Sequence, residues 1–251
     1  MKHIIAKLRF INILIVTFIW STISILILPF IPRRHIPYAS RMWANMTLAA
    51  AGVKIQKIGE FNPFIEANRM VVSNHISWLD VPVLQTIYST CFIGKTEMRK
   101  WPLIGSMVKV GGTIFINRKS KRQLIHINQV VTNKLQDGAS IGLFPEGKTS
   151  AGESVLRFKA PILEAALMAK SKITPLVIEY CDHEHNRTKE VTYAEKSLYQ
   201  SIQNTLLQKR IHVKIHSLPE VYADKFENRE ELSTYLYTQI SNKYTKSNKQ
   251  L

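Results

Sequence analysis

The segment "VVSNHISWLDVPVL", residues 71–84, sets a histidine and an aspartate five residues apart, directly after a run that reads as a buried strand. In a continuous helix His75 and Asp80 would point about 140° away from each other, so they meet only if the chain turns between them. Ser77 supplies a means. "SWLD" reads as a variant capping box with Ser77 at the N-cap and Asp80 in the first turn, which leaves His75 in the loop just before it. Asp80 can then reach back to the imidazole. A carboxylate on one ring nitrogen fixes the tautomer and leaves the other nitrogen as a general base toward a hydroxyl or water, an effect of about 10²–10⁴-fold in rate. The same spacing also suits Asp80 as the N-cap itself, with Pro82 in the first turn and His75 a satisfied loop residue. Spacing alone leaves both readings open.

Two other stretches carry polar groups at expected strand ends. In "GGTIFINRKSKR" (111–122) Arg118 follows a strand directly. A guanidinium held there can take a phosphate or carboxylate bidentately, and a surface ion pair is the alternative. Lys119, Lys121 and Arg122 read as a solvated or headgroup-facing basic face. In "LFPEGKTS" (143–150) Gly147 permits an unusual backbone turn between Glu146 and Lys148, which suits either a polar-ligand loop or a plain turn. The cluster "CDHEHN" (181–186) holds metal-ligating residue types, but packed so closely after a strand they read as a polar loop. His212 and His216 alternate with Val213 and Ile215 along a strand and require no function.

The elements that must position these residues follow from periodicity. After Gly52, short β-rich runs alternate with helical ones, which predicts one α/β catalytic domain whose mixed, largely buried sheet is flanked by helices. Strands are expected at 69–73, 91–94, 112–116, 140–144, 173–179, 189–193 and 211–216. Between two of them Leu124, Ile127, Val131 and Leu135 recur at helical spacing and stop at Gly138, a helix terminator. Further helices are expected at 157–169, 194–209 and 228–244, the last with Leu232, Leu236 and Ile240 on one stripe. The expected division is an anchor over 1–53, a catalytic domain over 54–245 and a frayed polar tail over 246–251.

Composition bounds the partners. With 34 Lys and Arg against 18 Asp and Glu, the chain carries a formal charge of +16 and should be drawn to anionic surfaces or ligands. No Gly-rich phosphate loop, CxxC pair or aromatic-basic repeat points to nucleic acid. Cys91 and Cys181 are the only cysteines, so no disulfide framework is implied and a reducing compartment fits. From Phe10 to Pro32 there is no charged residue, enough helix to reach across a bilayer core of about 30 Å. Arg33, Arg34 and His35 follow where a signal peptide would have its small-residue cleavage site. Basic residues flank both ends, so orientation is left open, as is the choice between a span and a helix embedded on one side. Residues 38–53 put Met42, Trp43, Met46, Leu48 and Ala49 near one helical face, which would complete a two-helix anchor. A non-catalytic protein that binds anionic membranes would share these features.

Taken in order, "NHISWLD", "GGTIFINR", "FPEGKTS" and "ITPLVI" resemble the glycerolipid acyltransferase family, whose bacterial members include the 1-acylglycerol-3-phosphate acyltransferases. The resemblance covers roughly residues 70–180, with support from "GKTEMRKWPLIG" (94–105) and "RFKAPILEAAL" (157–167). It implies that His75 deprotonates an acceptor hydroxyl and that Asp80 orients it. Arg118 would bind the acceptor's anionic headgroup, Glu146 and Gly147 would line its site, and Lys95, Lys148 and Lys159 are further candidates. Pro175 and Leu176 would lie near the acyl chain. The implied reaction passes an acyl group from coenzyme A or acyl carrier protein to a lysolipid, giving phosphatidate from 1-acylglycerol-3-phosphate, with no metal or redox cofactor. The implied location is the bacterial inner membrane, with the catalytic domain facing the cytoplasm. Where phosphatidate-forming members commonly read Phe-Pro-Glu-Gly-Thr-Arg-Ser, this chain has Lys148 and Thr149. Enzymes that acylate lyso-ornithine lipid often lack that arginine too, and this acceptor is the alternative. Asn117 stands where an acidic residue is frequent, and Ala160-Pro161 at the position of a usual glycine.

Overall fold

The computed structural model describes residues 2–62, 68–116 and 121–247, the side chains of 121–124 excepted. Its centre is a strand buried along its whole length, β2 (Arg69–Ser73), as its run of apolar residues requires for a position covered on both faces. In the sheet β2 lies between β5 (Ser140–Leu143) and β6 (Lys172–Cys181), both parallel to it, and β3 (Cys91–Lys95) and β4 (Ile114–Ile116) continue the parallel set beyond β5. On the other side β7 (Ile211–Ser217) runs antiparallel to β6, and β1 (Val53–Ile58) lies parallel to β7 at the edge. The short β8 (Val221–Tyr222) pairs with the start of β6. The sheet is therefore mixed, and helices flank it as the alternating sequence pattern predicts.

Two strands differ from expectation. Residues 189–193 form turns, with Thr192 N–H donating to the Lys189 carbonyl at 3.1 Å; Val191 is buried by packing without joining a ladder. Conversely, "VKIQKI" forms β1, and its alternation of Val53 and Ile55 with Lys54 and Gln56 is a strand signal that begins immediately after Gly52.

Among the helices, α5 (Lys121–Gln136) buries Ile127, Val131 and Leu135. It ends at Gly138, whose φ of 86° lets its N–H and that of Ala139 return to the Leu135 and Lys134 carbonyls. The helix expected over 157–169 is shortened to a 3₁₀ turn at Ala160–Leu163 followed by α6 (Glu164–Met168). Pro161 explains this, because it lacks the N–H an α-helix interior needs and disfavours helical backbone at Ala160. Over 194–209 the helix is α7 (Leu198–Leu207), opened by a full capping box between Ser197 and Gln200. Helix α8 (Arg229–Ser247) buries the expected Leu232, Leu236 and Ile240 stripe together with Tyr244, and it continues to Ser247, two residues into the stretch expected as a frayed tail.

The N-terminal segment forms α1 (Lys2–Leu26), two short 3₁₀ turns around Pro29 and Pro32, and α2 (Ile36–Ala51). Among the described residues only α1 is long and apolar enough to cross a membrane. The second helix is tied into the domain: Ala44, Leu48 and Ala51 are buried, and Arg41 Nη2 donates to the Ile87 carbonyl at 2.8 Å. The first helix is tied as well. The Arg9 guanidinium reaches the carbonyls of Leu206, Gln208 and Lys209 at 3.3, 2.6 and 3.0 Å, and so satisfies the end of α7.

Candidate active site

Parallel strands β2 and β5 end side by side, and the loops leaving their carboxyl ends build the site, the usual place for ligands in an open α/β sheet. Asn74, the first residue after β2, is buried and fastens its loop to β6: its amide Nδ2 donates to the Ile178 carbonyl at 2.9 Å, and its Oδ1 accepts the Ile178 N–H at 2.8 Å. His75 follows and stacks on Phe144 from the end of β5, with ring centroids 4.2 Å apart and planes 12° from parallel. Its carbonyl accepts the Ser150 N–H at 2.7 Å. These contacts hold the imidazole between two strand ends while its side chain stays 22% exposed.

The chain then turns, as a contact between residues five apart demands. Asp80 N–H closes onto the Ser77 carbonyl at 3.2 Å, and α3 (Asp80–Gln85) starts there. The assigned helix thus begins three residues after Ser77, but the reach-back of the capping box is present: Asp80 Oδ2 accepts the Ser77 N–H at 2.9 Å and the Ile76 N–H at 2.7 Å. The same oxygen lies 2.6 Å from His75 Nδ1. The cap and the pair are one arrangement.

The other carboxylate oxygen, Oδ1, accepts the Tyr180 hydroxyl at 2.6 Å. Burial pushes the Tyr180 hydroxyl well above its usual range, and the adjacent Asp80 charge adds to this, so the phenol remains a donor. Three donors and the His75 Nδ1 contact therefore converge on a fully buried carboxylate, and an ionised carboxylate only accepts. This places a proton on His75 Nδ1 and leaves Nε2 as the basic nitrogen.

Glu146, in the loop after β5, braces His75 through the backbone. Its Oε1 accepts the His75 N–H at 2.6 Å and its Oε2 the Leu156 N–H at 2.8 Å. Burial pushes its carboxyl up to about 7; the two N–H donors oppose this and the Asp80 charge assists it. Gly147 has φ 73°, and Lys159 lies over it, so that a Cβ at this position would come 2.9 Å from Nζ. Lys159 N–H also donates to the Pro145 carbonyl at 2.8 Å.

The structure therefore gathers His75, Asp80, Glu146, Gly147 and Lys159 at one end of the sheet. Lys148 is exposed on the same loop, and Lys95 is exposed at the end of β3. Pro175 and Leu176 are buried in β6 beside Val72 and Ser73. Arg118 lies outside the described residues. Sequence reasoning missed Tyr180, Phe144 and the bridging role of Asn74. Tyr180 shares the Ile178 face of β6, where Lys172 and Thr174 are polar too, so no local signal singles it out. In the 181–186 cluster Asp182 Oδ1 accepts the N–H groups of Glu184 and Asn186, so this side chain closes a turn. Cys91 and Cys181 are free thiols.

Known proteins resemble the chain in sequence and in fold. Residues 53–179, just over half of the chain, match the sequence family described as Acyltransferase. The chain is 33% identical over 182 residues to a 1-acyl-sn-glycerol-3-phosphate acyltransferase of Neisseria gonorrhoeae, spanning 72% of this chain and 71% of that one. It is 34% identical over 141 residues to a lyso-ornithine lipid O-acyltransferase of Pseudomonas aeruginosa, covering 56% and 53% of the two chains. Its fold matches the crystal structure of the 1-acyl-sn-glycerophosphate acyltransferase from Thermotoga maritima with a TM-score of 0.78, at 18% identity and over 98% and 97% of the two chains.

Proposed function

The chain belongs to the acyltransferase family, and from that premise we propose that it acylates the free hydroxyl of a lysolipid at His75, with 1-acylglycerol-3-phosphate as acceptor and phosphatidate as product. The observation that carries this reading is the 2.6 Å contact between His75 Nδ1 and Asp80 Oδ2, with the imidazole partly open where two parallel strands end. His75 Nε2 takes the proton of the acceptor hydroxyl as its oxygen attacks the thioester carbonyl. The tetrahedral intermediate collapses with cleavage of the carbon–sulfur bond, and the proton passes to the departing thiolate of coenzyme A or acyl carrier protein. Asp80 holds the tautomer and stabilises the imidazolium formed on the way.

Arg118 takes the acceptor's anionic headgroup, with Lys148, Lys159 and Lys95 adding positive charge around it. Glu146 and Gly147 shape that site through the backbone, and Pro175 and Leu176 lie toward the acyl chain. Residues 1–53 attach the enzyme to the bacterial inner membrane with α1 as the apolar element, and residues 54–245, facing the cytoplasm, carry the chemistry. The basic surface then meets anionic donors from the cytoplasmic side.

A second acceptor is favoured by one specific observation. Lys148-Thr149 stands where phosphatidate-forming members carry an arginine, and the Pseudomonas relative is named for lyso-ornithine lipid. One assay tests both: purified protein with labelled acyl-CoA or acyl carrier protein and a panel of lysolipids. Acylation of the phosphate monoester is expected, and Arg118→Ala should raise its KM more than that of a zwitterionic acceptor. Preference for lyso-ornithine lipid would move the assignment to that acceptor, and fatty-acid release without a lysolipid would make the protein a hydrolase.

A further inference from the structure

A groove of about 530 Å³ lies where the end of α1 and the 3₁₀ turns after it meet the start of α2 and the last turn of α4 (Ile104–Val110). It shares no lining residue with the loops that hold His75. Its walls are apolar, with Ile25, Leu28, Ile36 and Val110 among them, and two cations, Arg33 and Lys109, line it. No aspartate or glutamate lines it, and neither cation makes an ion pair or hydrogen bond among the described residues. Arg33 and Lys109 are both exposed.

We propose that this groove is a binding site for one membrane glycerophospholipid with an anionic headgroup, its phosphate held by Arg33 and Lys109 and an acyl chain laid along the apolar walls. Three features select such an amphiphile. The pairing of free cations with apolar walls matches a molecule that carries an anionic head and an apolar tail; a free phosphate would leave the walls unused. The volume falls within the roughly 300–1,000 Å³ of ordinary small-ligand sites, which suits one lipid. The groove is also continuous with the exposed apolar surface of α1 and the turn after it, where Leu26 is 62% and Phe30 85% exposed, so a lipid phase bathing that surface reaches the groove directly. The site does not depend on the acyl-transfer reading. It would fix the rotation of α1 at the membrane surface through a specific headgroup contact.

The test is native mass spectrometry of the full chain released from non-ionic micelles containing chain-matched phosphatidylglycerol or phosphatidylcholine. One phosphatidylglycerol should be retained in preference to phosphatidylcholine. Each cation near an anionic headgroup is worth about fivefold in affinity, so Arg33→Gln with Lys109→Gln should lower retention by about 25-fold. The double variant should still transfer acyl groups between micelle-dispersed substrates, because neither residue belongs to the His75 site. Val110→Phe, which narrows the groove without altering charge, should reduce retention as well. Equal retention of both lipids, or retention unchanged by these substitutions, overturns the proposal. Displacement by inorganic phosphate would make this a free-anion site, and displacement by acyl-CoA a donor site; either result also overturns it.

Discussion

Among the described residues two histidine–carboxylate pairs lie against the sheet, and adjacent residues of β6 connect to them on opposite faces. Tyr180 reaches Asp80, the partner of His75. Glu179 lies 3.1 Å from His216 Nε2, and its carboxylate also meets Arg187 at 3.3 Å and the Ser247 hydroxyl. The groups are the same but the surroundings differ. His75 is 22% exposed on a loop at a strand end, whereas His216 is 7% exposed within β7 and its Nδ1 has no hydrogen-bond partner among the described residues. A base needs a second nitrogen that substrate can reach, and only the first pair offers one. The second pair is a tie between β6, β7 and the end of α8. The largest expected effect tests this contrast. His75→Ala should lower acyl transfer by at least about 10²–10⁴-fold with the fold intact by circular dichroism, while His216→Ala should leave turnover within about twofold. Substantial transfer by His75→Ala would remove the proposed mechanism.

The two buried glutamates differ in the same sense. Glu146 accepts only backbone N–H groups in its described contacts, and burial pushes it up to about 7. Burial also pushes Glu179 up, but His216, Ser247 and Arg187 hold it below its usual range. Their contributions to stability therefore run in opposite directions with pH. Glu146 binds its proton more tightly folded than unfolded, so its contribution is full below the ordinary 4.5 and is lost as pH rises toward about 7, by up to about 3 kcal/mol. Urea unfolding across that range should show the decline, and Glu146→Gln should flatten it. An unchanged profile in the variant would mean that another group carries the titration.

Much of this arrangement was legible in the sequence, and the limits have physical causes. The five-residue spacing and Ser77 were enough to foresee that Asp80 could turn back, because the contact is local. Tyr180 was not foreseen, since its approach to Asp80 depends on β6 lying beside β2 across 100 residues of chain, a register that no short-range pattern states. The 157–169 helix failed at Pro161 although the proline was in plain view, because apolar periodicity continues through it. The alternation of β1 is regular and short, and 189–193 carries Val191 and Thr192, which favour a strand; there tertiary burial without a ladder decides otherwise.

Tyr180 supplies a smaller test of how the reactive pair is tuned. Its hydroxyl donates to the oxygen of Asp80 that His75 does not touch, and so draws charge away from the carboxylate. In Tyr180→Phe the carboxylate should hold the imidazolium more strongly. The acid limb of the kcat/KM profile should then move upward, with a loss of rate near that limb. A uniform loss at every pH would indicate packing alone, which would separate Tyr180 from control of the base.

The smallest effect belongs to the structural pair. Glu179→Gln keeps the shape but removes the charge facing Arg187, which retains the Tyr244 carbonyl at 2.8 Å and the Tyr244 ring at 4.0 Å. The expected cost is about 1 kcal/mol in urea unfolding at neutral pH, with turnover unaltered. Because Glu179 is held below its usual range when folded, its contribution is present above about 4.5 and lost as pH falls through the folded value. Wild type and variant should therefore converge in stability on acidification, where the Glu146 contribution is at its fullest. A variant that lost activity in step with stability would show that β6 transmits strain from Glu179 to Tyr180, and the two faces of the strand would no longer count as independent.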